Sequence, residues 1–392
     1  MKKCKLAVCT THPIQYQAPV WRHLANQPDI ELKVFFASDF SLRGYRDHQF
    51  NLDLKWDQPL SDGYDSVVLG SGIKGGFFSL NGRGLHSAFS KFQPDVGLIC
   101  AYHPKFYIDA IIALRHVGAR VMIRAEATDA DKSRSWLRSI LKDTYARWIY
   151  SRMDRFLSIG SNATDHYLRL GVEASKIRQS NYNIDDELFS KHVALAQGRK
   201  AELKEMLGIS SNKFVFICCG KYISKKNPLL LIKAFKALPE PIRSECAVIF
   251  LGEGELRKEM ESLSADMLGE SIFLTGFVNQ GDLWKYYGAG DCAVLPSAFE
   301  ETWGLVVNEA MMFGLPCIVS DRVGCSRDLV SDETGYIFPN GDFLSLSDAL
   351  QCIYSKVMGN TDYFYEASKK RIKAYSSLAA ARSIANAALD LE

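Results

Sequence analysis

Short apolar runs alternate along the chain with longer stretches in which apolar residues recur at intervals of three and four. In the first half, the runs predict strands at 4–9, 31–36, 65–69, 95–100, 119–124 and 155–159. The stretches between them predict helices that include 14–25, 105–116 and 135–150. Strands that alternate with helices in this way are typical of βαβ units and parallel sheets.

A second series of the same kind begins near residue 213. It predicts strands at 213–219, 246–251, 271–275, 291–296, 316–320 and 335–338. The segment 181–200 lacks a strong period, and we interpret it as the linker between two doubly wound domains. We therefore predict an N-terminal domain (1–185), a C-terminal domain (186–375) and an Ala-rich terminal helix (376–392) that docks back on the N-terminal domain. Ligands of such sheets bind beyond the carboxyl ends of the strands, which predicts a site in a cleft between the two.

The composition restricts the class of protein further. Lys and Arg total 47 against 45 for Asp and Glu, so the net charge of +2 gives no reason to expect nucleic acid as a partner. The 10 cysteines are scattered with no Cys-x-x-Cys, which argues against a thiolate zinc site and a disulfide framework and favours the cytoplasm. The apolar run at 6–9 is too short for a signal peptide, and no run approaches the about 18 apolar residues that span a membrane.

The segment FEETWGLVVNEAMMFG, residues 299–314, combines two carboxylates with a predicted helix start. Glu301 precedes the helix that begins near Gly304, and Glu309 shares a helix face with Leu305. The backbone N–H groups near Gly304, Leu305 and Val306 have no helical partner and form an anion site suited to a diphosphate. The alternative for the bare pair is that Glu301 caps the helix and Glu309 is solvated.

A glycine and several lysines follow the predicted strand 213–219. Gly220 lets the backbone approach a ligand, and Lys221 and Lys226 supply positive charge for phosphates. Taken alone, lysines in such a loop are usually only solvated.

Together these segments resemble the nucleotide-sugar-binding domain of family 4 retaining glycosyltransferases, which have the GT-B fold of two doubly wound Rossmann-like domains facing across a cleft. The resemblance covers about residues 213–330, and its matching pieces are GKYISKKNP, LGEGELRKEME, FLTGFVNQGDLWKYY, DCAVLPSAFEETWGLVVNEAMMFGLPCIVSD and ETGYIFPNGD. It implies that Glu301 contacts the donor sugar hydroxyls and Glu309 the ribose hydroxyls. The remaining donor-binding residues that it implies are Lys226 with Lys221 at the diphosphate, Gly220, the helix start at Gly304, Leu305 and Val306, and the backbone of 276–279, including Gly276 and Val278, beside the base.

The sequence departs from the family pattern in four places. Lys221 stands where the family usually has arginine, Cys325 replaces the second glycine after Gly324, and Asp328 stands in for a glutamate. In the N-terminal half, Glu126 follows the strand VMIR where many members have a histidine.

The N-terminal half resembles the family more loosely and supplies the acceptor candidates. His12 and Gln15, in THPIQYQAPVWRHLA, and Tyr102 and His103, in AYHP, all follow predicted strand ends. We expect His12, His103, Glu126 and Glu301 to be the catalytic candidates. A purely structural hydrogen bond is the alternative for each histidine, and a salt bridge to Arg124 or a neighbouring basic residue is the alternative for Glu126.

The resemblance implies a retaining, hexosyltransferase-type enzyme of polysaccharide biosynthesis that needs no metal and no other cofactor, since cationic side chains and a helix N-terminus stabilise the leaving diphosphate. Its expected partners are a nucleotide-sugar donor and a glycan, lipid-linked or small-molecule acceptor. A sugar-nucleotide epimerase of the same shape and a non-catalytic sugar-nucleotide binding protein remain alternatives. Two rival motifs are weaker: a dinucleotide fingerprint at Gly252 and Gly254 lacks its third glycine, and Asp129 with Asp131 would suit the metal-dependent glycosyltransferase fold.

The segment 132–155 is rich in basic and aromatic residues. Two interpretations stay open: docking at the inner surface of a membrane, or an amphipathic helix packed on the N-terminal sheet with a solvated basic face.

Overall fold

The computed structural model describes residues 2–43, 45–47, 52–54, 59–70, 77–129, 136–360 and 362–392. The chain divides into two compact units. The N-terminal unit contains Met1–Arg46, Asp53–Asp185 and Tyr375–Glu392, and the C-terminal unit contains Asp47–Leu52 and Asp186–Ala374. Each unit is built on a parallel sheet, which confirms the predicted α/β fold class.

The N-terminal unit contains a seven-stranded sheet within the described residues, in the order β5-β2-β1-β6-β7-β8-β9. All of its neighbouring strands are parallel. A separate two-stranded sheet joins β3 and β4. The strands are β1 (Cys4–Thr10), β2 (Ile30–Phe36), β3 (Tyr45–Asp47), β4 (Leu52–Leu54), β5 (Ser66–Val68), β6 (Val96–Ile99), β7 (Arg120–Ile123), β8 (Arg155–Ser158) and β9 (Ile177–Gln179).

The helices before residue 185 are α1 (Ala18–Ala25), α2 (Phe40–Arg43), α3 (Leu85–Phe92), α4 (Lys105–His116), α5 (Trp136–Tyr150) and α6 (Ser161–Arg169), with 3₁₀ turns at Phe77–Ser79 and Ala174–Lys176. Helix α1 starts later than residue 14, because Pro19 lies in its first turn, where proline is preferred. One face of the sheet packs against α1 through Val20, Trp21 and Leu24.

The C-terminal unit repeats this plan with six strands in the order β12-β11-β10-β13-β14-β15, again parallel throughout. The strands are β10 (Phe214–Cys219), β11 (Cys246–Leu251), β12 (Ile272–Leu274), β13 (Cys292–Leu295), β14 (Cys317–Ser320) and β15 (Gly335–Phe338). Alternate residues of β10, Phe214, Phe216 and Cys218, join one buried core with side chains of the following helix. The intervening residues Val215 and Ile217 are also buried, so both faces of this strand are covered, as parallel sheets require.

The remaining helices are α7 (Asp186–Ala196), α8 (Lys200–Met206), α9 (Pro228–Lys236), α10 (Glu240–Arg243), α11 (Arg257–Leu263), α12 (Leu283–Ala289), α13 (Leu305–Met312), α14 (Ser326–Leu329), α15 (Phe343–Gly359), α16 (Tyr365–Ile372) and α17 (Ser377–Leu389), with 3₁₀ turns at Gln280–Asp282 and Lys373–Tyr375. The last helix, α17, belongs to the N-terminal unit and contacts α1 and β1. Ser376 caps it by accepting a hydrogen bond from the Ala379 N–H, and its buried face includes Ala381 and Ile384.

The structure corrects the expected linker at 181–200. Most of this segment is α7, which buries Phe189, His192 and Ala196 at intervals of three and four. His192 lies in the middle of this buried face, and because histidine is not counted as apolar, the hydrophobic pattern is too weak to predict the helix. Strand β9 was also missed, because three residues with only Ile177 half-buried give too short a pattern.

Candidate functional site

The C-terminal candidate residues follow strands that lie side by side at the point where the strand order reverses. Strands β10 and β13 pair directly, and each is followed by a loop that leads into a helix, α9 or α13. In open parallel sheets the crevice outside the carboxyl ends of two such strands is the usual place for a ligand. The loop after β10 carries Lys221 and Lys226, and the loop after β13 carries Glu301.

Lys226 and Glu301 form an ion pair between these two loops. The Lys226 Nζ lies 2.5 Å from Glu301 Oε2, and the Ser297 hydroxyl donates to the same oxygen at 2.9 Å. Ser297 is in turn positioned by the Ser320 hydroxyl, which donates to its carbonyl. Glu301 is only 8% exposed and makes no cap of the following helix, whose N-cap is Gly304. The helix-capping alternative for Glu301 is therefore wrong.

Glu309 lies on the second turn of α13 and is held by a buried tyrosine. The Tyr287 hydroxyl donates to Glu309 Oε2 at 2.8 Å. Burial raises the pKa of Glu309 to about 7, while the Tyr287 hydrogen bond and the positive charge of Lys226 act in the opposite direction. The carboxyl group is therefore close to half ionised at neutral pH. It is partly buried and is not the solvated side chain of the alternative interpretation.

The start of α13 depends on two glycines. Gly304 has φ of 101°, and a Cβ there would lie 2.8 Å from a Leu295 methyl group. Gly324, in the loop after β14, donates its N–H to the Glu301 carbonyl at 2.9 Å, and a Cβ there would lie 1.9 Å from the Thr302 carbonyl. Close contact between these two loops fixes Glu301 and the helix N-terminus together. The N–H groups of the first helical residues, Leu305 and Val306, have no intrahelical acceptor and are suited to an anion.

The loops after β10, β11 and β12 meet through glycines at the same edge of the sheet. A Cβ on Gly252 would lie 2.0 Å from the Gly220 carbonyl, and the Gly252 N–H donates to the Gly276 carbonyl at 2.9 Å. A Cβ on Gly254 would lie 2.5 Å from the Tyr222 carbonyl. The glycines of the incomplete dinucleotide motif thus serve backbone packing. Gly276 and Val278, expected beside the base, follow β12 and are half-buried.

In the N-terminal unit, two candidate histidines follow the strands at its own reversal of order, β1 and β6. His12 Nδ1 is 2.9 Å from the Thr11 hydroxyl, and its ring packs 4.2 Å from that of Phe40. Burial lowers the pKa of His12 to about 4, so its imidazole is neutral at pH 7. His103 is exposed and stacks on Tyr145 with ring centroids 5.3 Å apart.

Glu126 follows β7, the strand beside β6. Its side chain is exposed, and its Oε1 accepts a hydrogen bond from the buried Tyr182 hydroxyl. Arg124 is buried and directs its guanidinium to the segment 180–183, donating to the Ser180 hydroxyl at 3.1 Å and to the Asn181 carbonyl at 2.8 Å. Burial lowers the pKa of Arg124, and the nearby charge of Glu126 opposes this.

The structure thus gathers Lys226, Glu301 and the start of α13 in the C-terminal unit, with Glu309 beside them. His12, His103 and Glu126 lie at the strand ends of the N-terminal unit. Sequence reasoning missed Tyr287 and Ser297, which hold the two glutamates. Ser297 stands four residues before Glu301, but nothing in the sequence near Tyr287 indicates that it reaches Glu309.

The rival metal motif finds no support in the described residues. Both carboxylate oxygens of Asp129 accept hydrogen bonds from Arg169 at 2.7 Å, and His166 Nδ1 is 2.9 Å from one of them. Asp131 lies outside the described residues. Within the described ranges, no three His, Cys, Asp or Glu side chains are grouped closely enough to hold a metal ion. The same part of the chain contains no helix with the length and apolarity needed to cross a membrane.

Comparison with known proteins finds a family model that matches most of the C-terminal unit. Residues 199–371 match the model of "Glycosyl transferases group 1". This part of the chain is therefore similar to group 1 glycosyltransferases, as the motifs predict. A curated relative is the UDP-Gal:alpha-D-GlcNAc-diphosphoundecaprenol alpha-1,3-galactosyltransferase of Escherichia coli, 32% identical over 46% of this chain and 46% of that protein. The chain thus spans about half the length of this relative.

Solved structures share the fold over the whole chain. A glycosyltransferase from Rickettsia africae has a TM-score of 0.75 at 13% identity and covers 100% of this chain and 99% of its own. The Anabaena protein HepE in complex with UDP has a TM-score of 0.70 at 14% identity, with 98% and 99% covered. At such identities the likeness concerns the fold alone, and it agrees with the predicted GT-B class.

Proposed function

We propose that this protein transfers a sugar from a nucleotide diphosphate sugar to an acceptor hydroxyl, with retention of the anomeric configuration. The observation that carries the proposal is the Lys226 and Glu301 pair, 2.5 Å apart, beside the free N-terminus of α13 in the part of the chain that is similar to group 1 glycosyltransferases. A cation and unpaired N–H groups suit a diphosphate, and a carboxylate beside them suits sugar hydroxyls.

In this proposal the C-terminal unit holds the donor. Lys226, Lys221 and the first N–H groups of α13 bind the diphosphate and stabilise the charge that develops as it leaves. Glu301, whose Oε2 already accepts from Lys226 and Ser297, orients the sugar through its other oxygen. Glu309 accepts hydrogen bonds from the ribose hydroxyls. The backbone at 276–279, half-buried from 276 to 278, flanks the base.

The N-terminal unit supplies the acceptor side. Glu126, His12 and His103 follow β7, β1 and β6, and we assign to Glu126 the orientation or deprotonation of the acceptor hydroxyl. The working mechanism is a same-face displacement in which the leaving phosphate helps to remove the acceptor proton, and the new glycosidic bond forms on the face that the diphosphate leaves. A glycan or lipid-linked acceptor fits the E. coli relative, whose name specifies a diphosphoundecaprenol substrate.

Analysis of the products, together with nucleotide-sugar binding, separates this proposal from its alternatives. The purified chain is incubated with the nucleotide sugars that bind it, with and without acceptors, and the products are analysed by NMR. We expect a glycoside with the anomeric configuration of the donor. An altered nucleotide sugar formed without acceptor would indicate an epimerase, and binding without any turnover across acceptors would indicate a binding protein.

The proposal assigns charge neutralisation of the diphosphate to side chains and backbone. Turnover should therefore persist when divalent ions are removed with EDTA. If EDTA abolished turnover and a divalent ion restored it, the Asp129 and Asp131 motif would replace this interpretation.

A further inference from the structure

Helix α5 exposes large apolar side chains on the side opposite to the one that it buries. Its buried face consists of Ala146, Ile149 and Tyr150. With 3.6 residues per turn, the exposed set falls within an arc of about 140° centred opposite to that face. The members of this exposed set, with their exposed fractions, are Trp136 (69%), Ile140 (52%), Leu141 (71%) and Trp148 (44%).

Such a face is unusual for a surface helix, because the outer side of such a helix is normally polar. Four large apolar residues share one face of this helix, whereas single exposed apolar residues need no explanation. The helix therefore has two apolar sides, and only one of them is covered within the described residues.

The charges around the exposed face are positive. Arg147 lies within the same arc and is exposed, and the Arg152 guanidinium lies 3.9 Å from the Trp148 ring centroid. The acidic residue of the helix, Asp143, is bound by Arg169 through two hydrogen bonds of 2.5 and 3.0 Å. The sequence of α5 itself contains three basic residues and one acidic residue.

We propose that the α5 face, defined by Trp136, Ile140, Leu141, Arg147 and Trp148, docks on an anionic lipid bilayer. Tryptophan is favoured at the boundary between headgroups and acyl chains, and arginine at that depth binds lipid phosphates. A second copy of the chain fits this face less well, because a self-complementary contact would bring Arg147 and Arg152 towards their own copies.

A column of stacked groups joins the α5 face to an acceptor candidate. The Trp148 ring stacks on Tyr145 with centroids 6.1 Å apart, and Tyr145 stacks on His103 at 5.3 Å. If the proposed function holds, docking through α5 brings the loop after β6 close to the lipid surface, where a lipid-linked acceptor would be presented. The docking itself requires no turnover, so its test is independent of that function.

The test measures co-sedimentation of the full chain with vesicles of phosphatidylglycerol and, separately, of phosphatidylcholine. We expect binding to phosphatidylglycerol that weakens with added salt, and little binding to phosphatidylcholine. The double variant Trp136→Gln/Leu141→Gln should lower partitioning by about 100-fold, since it removes two large apolar contacts. Arg147→Gln should lower it by about fivefold.

The matched control is Leu168→Gln, which replaces an exposed leucine (45%) of α6 in the same unit and should bind as the wild type does. Circular dichroism of each variant verifies that it is folded. Absence of binding to phosphatidylglycerol, or equal binding by the double variant, would overturn the proposal. A wild-type dimer that the double variant converts to a monomer, without vesicle binding, would assign the face to a contact between copies instead.

Discussion

The ionisation of the Glu309 carboxyl group can be tested by measuring how nucleotide affinity depends on pH. Its pKa of about 7 means that the carboxyl group is mostly neutral near pH 6 and mostly ionised near pH 8. Ribose hydroxyls donate more strongly to the ionised form. We therefore predict a change with pH in the ratio of two affinities for a nucleoside diphosphate, that of the wild type divided by that of Glu309→Gln. This ratio, measured by calorimetry, should rise about tenfold from about pH 6 to about pH 8.

Comparison with Glu309→Gln removes any titration of the nucleotide itself, which affects both proteins equally. Tyr287→Phe should move the midpoint of this pH dependence upward, because the Tyr287 hydrogen bond lowers the pKa of Glu309. Tyr222→Phe is the matched control, since Tyr222 is also buried in this unit but donates to the Phe250 carbonyl. A ratio that does not change with pH would contradict the role given to Glu309.

The raised pKa of Glu309 also makes the stability of the unliganded protein depend on pH. This stability should fall with rising pH, whereas the affinity for the nucleotide should rise. Folding raises the pKa of Glu309 above the ordinary value of 4.5, so its contribution to stability is fully present below that value and is lost as pH rises through about 7. We predict that Glu309→Gln raises the melting temperature more at about pH 8 than at about pH 5. Equal shifts at both pH values, measured by calorimetry, would exclude an ionised, buried Glu309.

Glu126 is the corresponding test on the acceptor side. Glu126→Gln should keep the fold and the donor affinity but lower kcat by about 100-fold or more, the scale expected of a general base. Steady-state kinetics and thermal melting measure the two effects. A near wild-type kcat with a lowered melting temperature would show that the contact with Tyr182 is only structural, and His12 and His103 would be tested next.

At the level of single residues, the sequence indicated which side chains belong to strand ends but not how they are held. Lys226 and Glu301 were expected near a ligand, yet they are 75 positions apart and their ion pair depends on the direct pairing of β10 with β13. The pKa of Glu309 depends on burial and on Tyr287, which are tertiary properties. The spacing of residues in the sequence indicates neither the burial of Glu309 nor its contact with Tyr287.

At the scale of elements, the donor site depends on contact between the loops after β13 and β14. We predict that Gly324→Ala lowers the free energy of unfolding by about 2 kcal/mol or more, because its Cβ would overlap the Thr302 carbonyl. Donor affinity should fall with it, since Thr302 lies between Glu301 and the start of α13.

Denaturant unfolding and nucleotide titration measure these two effects. The control is Gly359→Ala at the end of α15, where a Cβ would meet no atom within 4 Å, so that stability should change by less than about 0.5 kcal/mol. A Gly324→Ala protein as stable as this control would show that the two loops can separate without cost.

The elements that sequence predicts best are those with a clear period and clear ends. Helix α4 (Lys105–His116) and β15 (Gly335–Phe338) have the predicted bounds, since each is a regular apolar pattern between turn residues. Helix α7 was missed because His192 takes a buried position that a hydrophobic pattern leaves blank. Short strands such as β9 are defined by their neighbours in the sheet and leave little local signal.

At the scale of the whole molecule, the two units have the same kind of sheet but different residues at its strand ends. Each has a parallel sheet whose strand order reverses beside its first strand, and each places polar side chains after the strands at that point. The C-terminal set contains the cation, the carboxylates and the helix N-terminus that suit a nucleotide sugar. The N-terminal set contains the neutral His12, the exposed His103 and Glu126, which suit an acceptor hydroxyl.

The central claim is that Lys226 and its neighbours bind a nucleotide diphosphate sugar, and a thermal-shift screen with UDP-, GDP- and ADP-sugars tests it most directly. Binding to the native state raises the melting temperature with ligand concentration. We predict that at least one of these ligands stabilises the wild type and Lys233→Ala, which removes an exposed lysine of α9 in the same unit. Lys226→Ala should bind that ligand about 5- to 150-fold more weakly, the loss of about 1–3 kcal/mol expected when a charged partner is removed. No stabilisation of the wild type by any of them, or equal stabilisation of Lys226→Ala, would contradict the claim.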